Sequence, residues 1–138
     1  MAVYDSRDVA ETEAIAAQFA ATLTAGVCVA LHGDLGAGKT QFVRGVVTAL
    51  GGDGREVSSP TYVLLHVYDT PRLRVYHLDA YRVRGADDFE QIGFTELLDQ
   101  GGVVIVEWAA RVADLLPTGC RVVRIESTGE TSRRIGIE

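Results

Sequence analysis

Apolar positions along the chain change their spacing several times, and each change predicts a new element. Residues 2–4 read as a short strand. Ser6 or Asp8 is placed to N-cap a helix running to about Leu23, with Val9, Ile15, Phe19 and Leu23 on its apolar face. Ala25-Gly26 ends that helix, and Val27, Val29 and Leu31 then alternate as a strand. Phe42, Val43, Val46, Val47 and Leu50 return to helical spacing and stop at Gly51-Gly52. Residues 51–55 are a glycine-rich turn, and 57–61, polar and interrupted by Pro60, form a loop. Residues 62–68 and 74–78 pair as an antiparallel hairpin around the turn at 69–72. A short acidic helix is expected over 86–91, broken by Gly93, with another helical turn over 94–98. Gly101-Gly102 precedes Val103-Val104-Ile105-Val106-Glu107-Trp108, an unbroken apolar run ending in an acid. That pattern predicts a central strand buried on both faces, with its carboxylate at the C-terminal edge. Residues 109–116 read as helical up to Pro117, and 120–127 with 133–137 as a closing hairpin around Gly129. The expected class is α/β, with a mixed central sheet flanked by helices.

The predicted strand and helix at 27–50 enclose Gly33-Asp34-Leu35-Gly36-Ala37-Gly38-Lys39-Thr40, which satisfies G-x-x-x-x-G-K-[ST] at every fixed position. Glycines let the backbone wrap with its N–H groups inward, the following helix aims its positive end at the same point, and Lys39 adds a full charge. Thr40 supplies a short hydroxyl that reaches a Mg²⁺ bridging the outer phosphates. Lys39 is also the only lysine, the other 12 of the 13 basic residues being arginine. Lysine is the point-charge residue for this position, and arginine is a poor replacement. The loop therefore predicts nucleotide phosphate binding, and with it a single P-loop NTPase-like domain over 1–138.

Composition narrows the setting. A chain of 138 residues with 47% hydrophobic and 23% charged residues is long enough to bury a core as one domain. The longest apolar runs fall far short of a membrane span of about eighteen residues. The first residues show no basic-then-apolar leader. Cys28 and Cys120, both in expected strands, read as small buried hydrophobes of a reducing compartment, so a cytoplasmic location is expected. The net charge of −6, and the mixing of Glu126, Glu130 and Glu138 among Arg121, Arg124, Arg133 and Arg134, disfavour direct binding to a nucleic-acid backbone. Any RNA should be held by another subunit.

Nucleotide hydrolysis also needs carboxylates to orient metal or water. Glu107, at the end of a buried strand, is the first candidate, against a plain solvated strand-end acid. Asp79 is the second, against a cap or ion pair of the following turn. Thr61, in Ser59-Pro60-Thr61, reads either as a sensor of the γ-phosphate or as a turn residue. Trp108 reads as core packing, and His32, His66 and His77 lack metal-ligand spacing and read as structural.

Taken in order, the loop at 33–40, Ser59-Pro60-Thr61-Tyr62, Tyr76-His77-Leu78-Asp79-Ala80-Tyr81-Arg82 and Val106-Glu107-Trp108 resemble the signature of the TsaE (YjeE) family. These are small bacterial ATPases of the tRNA threonylcarbamoyladenosine pathway. The resemblance spans nearly the whole chain, including Glu90-Gln91-Ile92-Gly93 and Thr12. Three positions depart from the family pattern: Gln41 in place of a second threonine, Ala80 in place of a larger residue, and Ala109 in place of a frequent proline. The resemblance implies that residues 33–41 bind ATP or ADP, that Thr40 and Glu107 hold Mg²⁺, and that Asp79 assists hydrolysis. It further implies that Lys39 and Thr61 act in catalysis, that 59–61 behave as a switch segment, and that Trp108 neighbours the site. Thr12 and one of Arg133 or Arg134, with Arg134 the residue chosen, are implied near the base or ribose. The implied partners are the TsaB and TsaD subunits, TsaD transferring the threonylcarbamoyl group to tRNA, so that tRNA is met only through the complex.

Two further readings fit the loop alone: a small-molecule P-loop kinase, and a nucleotide-binding scaffold without turnover. The first needs an acceptor site and a lid, for which no insertion is long enough. The second remains open because no arginine finger can be assigned. A GTPase switch is disfavoured because the chain contains no asparagine for an N-K-x-D motif. Asp99-Gln100-Gly101-Gly102 fits D-x-x-G, but it precedes a strand rather than following one.

Overall fold

A computed structural model describes residues 1–60 and 64–138. Seven strands, β1 (Ala2–Ser6), β2 (Cys28–His32), β3 (Leu65–Tyr68), β4 (Val75–Asp79), β5 (Val103–Glu107), β6 (Arg121–Ser127) and β7 (Arg133–Ile137), make one sheet in the order β1-β7-β6-β2-β5-β4-β3. The centre, β6-β2-β5-β4, is parallel; β7 and β3 flank it antiparallel, and β1 pairs antiparallel with β7 at the far edge. The helices are α1 (Val9–Ala20), α2 (Lys39–Ala49), α3 (Ala86–Gln91) and α4 (Phe94–Leu98), with 3-10 segments at Gly54–Glu56 and Ala109–Leu115. This is the mixed α/β sheet with flanking helices that the hydrophobic pattern predicts.

The sheet separates two apolar layers. On one face α1 and α2 cover Val29, Leu31, Val75, Val103, Ile105, Val123, Ile125 and Ile135. On the other, Phe89 of α3, Phe94 of α4 and Val112 cover Ala30, Leu78, Val104 and Val106. Both faces of β5 are buried throughout, as its unbroken apolar run requires. The two long helices approach closely because Gly45 faces α1: a Cβ there would stand 2.7 Å from the Glu13 carbonyl oxygen and 2.8 Å from the Ala16 Cβ.

Asp8, not Ser6, caps α1, its carboxylate accepting from the Glu11 N–H at 2.9 Å. The helix ends at Ala20 rather than near Leu23, because Thr22 and Leu23 donate to the carbonyls three residues back and tighten the last turn. Val9, expected on the apolar face, is 53% exposed in the first turn, whereas the expected Phe19 and Leu23 are buried, joined by Thr12, Ala16 and Ala20. Of the strand expected over 62–68, only Leu65–Tyr68 is strand among the described residues, since Leu64 adopts φ +74°. The helix expected after Trp108 is a tighter 3-10 segment. Cys28 is buried, whereas Cys120 lies just before β6 and is only half-buried.

Candidate active site

The chain leaves β2 at His32 and crosses the Gly33–Gly38 loop into α2, so the loop lies outside the carboxyl end of a central parallel strand. That is where open α/β sheets bind ligands. Gly36 and Gly38 take φ of +79° and +106°, which side chains disfavour, and Gly38 occupies the N-cap position without a side-chain cap. The first N–H groups of α2 therefore have no helical acceptor and remain available to an anion. Lys39 opens the helix and is only 7% exposed. Thr40 follows it, half-buried, while Asp34 and Leu35 sit at the exposed rim and Ala37 is buried beneath the loop.

β5 brings Glu107 to the same point. Leu31 of β2, Glu107 of β5 and Asp79 of β4 stand side by side in register at the strand ends. The two-residue period places Glu107 and Asp79 on the α2 face, together with Ile105 and Val75. Glu107 is 2% exposed, with Oε1 3.5 Å from Lys39 Nζ and Oε2 2.5 Å from His77 Nε2. Burial would push its carboxyl up, but the His77 hydrogen bond and the Lys39 ammonium hold it below the usual carboxylate range. Asp79 is wholly buried: Oδ1 accepts from the Tyr81 N–H at 2.7 Å, and Oδ2 has no hydrogen-bond partner among the described residues. Trp108 turns out of β5 in the left-handed region (φ +56°), setting its ring 4.3 Å beneath Lys39 Nζ and 4.9 Å from the Tyr81 ring. Trp108 is thus part of the site wall rather than core packing alone. Burial, followed by the charges of Arg124 and Lys39, pushes His32 down, consistent with an electropositive loop mouth.

Two cavities flank the loop. One of about 680 Å³ is lined by Gly33–Ala37, His32, Trp108 and the end of β6. The other, about 480 Å³, lies between the loop, the start of α1 and the β6–β7 turn, with Thr12, Gln41 and Arg133 in its wall. Arg133 donates from Nε to the Ala37 carbonyl at 2.7 Å and from a terminal nitrogen to that of Gly36 at 3.2 Å. Arg134, the arginine chosen from sequence, is the one the structure does not bring here. Strand alternation sends it to the opposite face of the sheet, where it meets Asp5 at 3.5 Å. Thr12 is 2% exposed and shares a 2.8 Å hydrogen bond with Ser6. Thr61 lies outside the described residues; Ser58, three positions earlier in the chain, is clasped by the Tyr68 hydroxyl, which donates to the Ser58 carbonyl at 3.1 Å and accepts from its N–H at 3.2 Å.

His77 is the residue that sequence reading missed. The available signal was its spacing: in a strand, two residues before Asp79 means the same face. Hard oxygen donors, the Thr40 hydroxyl next in sequence to Lys39 and the Glu107 carboxylate 3.5 Å from Lys39 Nζ, lie at a helix N-terminus and suit Mg²⁺ held against phosphates. Mg²⁺ characteristically takes one or two protein carboxylates and completes its shell with phosphate and water. Among the described residues no three His, Cys, Asp or Glu side chains form a protein-only metal cage.

A family model described as threonylcarbamoyl adenosine biosynthesis protein TsaE matches residues 6–135. The chain belongs to the TsaE family. The tRNA threonylcarbamoyladenosine biosynthesis protein TsaE of Rickettsia bellii is 36% identical over 127 residues, 92% of this chain and 88% of that protein. The TsaE protein of Bacillus subtilis is 39% identical over 125 residues, covering 91% and 77% respectively. The crystal structure of Bacillus subtilis YdiB superposes with a TM-score of 0.76 at 30% identity, covering 99% of this chain and 83% of that one. A role in threonylcarbamoyl adenosine biosynthesis comes with TsaE membership. No helix among the described residues is long and apolar enough to cross a membrane.

Proposed function

We propose that this TsaE-family chain binds and hydrolyses ATP with Mg²⁺, in support of tRNA threonylcarbamoyladenosine synthesis and in complex with TsaB and TsaD. One observation carries the reading: a buried lysine at a helix N-terminus touches a buried strand-end glutamate, and a second buried carboxylate lies in register beside it. Charged groups are seldom buried unless they are paired, and a buried pair at the mouth of a phosphate loop marks a functional site.

The residues divide that work. Lys39 and the N–H groups of the loop and of early α2 bind the phosphates. To do so, Lys39 exchanges its contact with Glu107 for one with phosphate. Thr40 and Glu107 are the side chains that would hold Mg²⁺, which neutralises charge on the outer phosphates when bound. Asp79, with one oxygen tied to the Tyr81 N–H and the other without a partner among the described residues, orients the attacking water. The 480 Å³ cavity offers Thr12, Gln41 and Arg133 to the nucleoside. The net charge of −6 agrees with tRNA being held by other subunits, in the cytoplasm.

The test is calorimetric and kinetic. Lys39→Ala is expected to weaken ATP and ADP binding at least about 30-fold, as loss of a buried charged partner costs roughly 2–5 kcal/mol. Glu107→Ala is expected to spare metal-free ADP binding and to remove Mg²⁺-dependent turnover. Hydrolysis by the isolated chain is expected to be slow and to rise when TsaB and TsaD are added. Undiminished ATP affinity in the lysine variant would refute the site, and an equal rate with and without the partners would refute the complex.

A further inference from the structure

Glu107 is gripped from two sides, and only one grip is compatible with a bound nucleotide. Lys39 Nζ stands 3.5 Å from Oε1 but is needed by phosphate; His77 Nε2, 2.5 Å from Oε2, has no competing task. A carboxylate only accepts, so His77 donates through Nε2–H. Its other nitrogen, Nδ1, has no hydrogen-bond partner among the described residues, so no second hydrogen bond among them competes for the ring's orientation. The ring is wholly buried and fixed by its strand: His77 opposes Ile105 of β5 and His66 of β3 in register, with the Tyr68 ring 6.0 Å away. Its backbone sits one strand from Glu107 and two residues before Asp79, so the His77–Glu107 bond ties β4 to β5 at the end where both acids emerge.

We propose that His77 is the positioning residue for Glu107. It pins one carboxylate oxygen so that the other stays turned toward the Lys39–Thr40 corner after Lys39 has moved to phosphate. Without it, a buried carboxylate that has lost its lysine partner is free to rotate about its terminal torsion and to present the wrong oxygen. This inference rests on the ATPase reading above, since it assigns His77 a role only in the nucleotide-bound site. Partners of this kind, standing behind a metal-binding side chain, typically change metal affinity or activity by about 10–100-fold when removed.

Two amides separate a hydrogen-bond role from mere filling of the core. Glutamine places its NH₂ where the histidine Nε2 stands, whereas asparagine is one carbon shorter and falls short of Glu107. The readouts are Mn²⁺ affinity in the presence of a non-hydrolysable ATP analogue, by electron paramagnetic resonance, and metal-free ADP affinity by calorimetry. Thermal melts report folding. His77→Gln is expected to stay within about fivefold of the unsubstituted chain in Mn²⁺ affinity, and His77→Asn to lose about 10–100-fold, with metal-free ADP affinity preserved in both. Equal Mn²⁺ affinities in the two variants overturn the proposal. So does an equal loss in both, including by failure to fold, because the ring and not its hydrogen bond would then matter. If the unsubstituted chain binds the analogue with no dependence on metal, the ATPase reading itself fails; if that dependence is present and His77→Asn leaves it intact, only the role of His77 fails.

Discussion

On one face of the sheet two long helices, α1 and α2, enclose a layer that admits polar residues; on the other, short helices and a 3-10 segment enclose one that is almost wholly apolar. Among the described residues the buried polar side chains are Ser6, Thr12, Lys39, His77, Asp79 and Glu107, and all lie on the α1–α2 face or in α1 and α2 themselves. The difference follows from what each layer can offer as a partner. A buried charge is tolerable only where an opposite charge or a donor meets it, and the α2 N-terminus, Lys39 and His77 provide these at one end of one face. The opposite layer packs the Phe89 ring against that of Phe94, centroids 5.0 Å apart, and serves to hold β4 and β5 in place.

Phe89→Ala should break the comparison most strongly, because it touches only the apolar face. It is expected to cost about 3–5 kcal/mol of stability, read by urea or thermal unfolding, while ATP affinity of the folded protein is unchanged. A drop in affinity of the same proportion would mean that the two faces are not separable. Arg133 and Arg134 sharpen the comparison at single-residue resolution, since they are neighbours on opposite faces. Arg133→Ala loses the donors to the Gly36 and Ala37 carbonyls and is expected to weaken ATP binding on the order of tenfold, each charged hydrogen bond being worth about 1.5–3 kcal/mol. Arg134→Ala loses an exposed pair with Asp5 and should change affinity by no more than about twofold.

The smallest effect concerns pH. Hydrogen bonds from the Thr95 hydroxyl and N–H hold the exposed Glu90 carboxyl below its ordinary value, linking α3 to α4 on the apolar face. A depressed carboxyl contributes stability above its unfolded value, near 4.5, and loses that contribution as pH falls through the lower folded value. The gap in melting temperature between the unsubstituted chain and Thr95→Ala should therefore be constant from pH 6 to 8 and shrink below about pH 4. A gap that widens on acidification would contradict this origin.

Local pattern was enough to read the loop, the helix behind it and the strand-end position of both acids. Glycine spacing, a single lysine and an unbroken apolar run ending in Glu107 are each visible within about ten residues, and they act through backbone sterics and burial, which are short-range. Three things were not legible, and all depend on strand register. That Asp79 and Glu107 fall opposite each other follows from how β4 slides against β5. That His77 reaches Glu107 depends on the same register, because a shift by one residue would send the ring to the other face. That Arg133 rather than Arg134 meets the loop is decided by the phase of β7 against β6 and β1, although alternation alone requires the two to point apart. Sequence determined which elements form and what chemistry each carries, because those choices are settled by neighbours along the chain; only the tertiary structure decided which side chains meet, because these pairings join residues 28 to 96 positions apart that no local pattern relates.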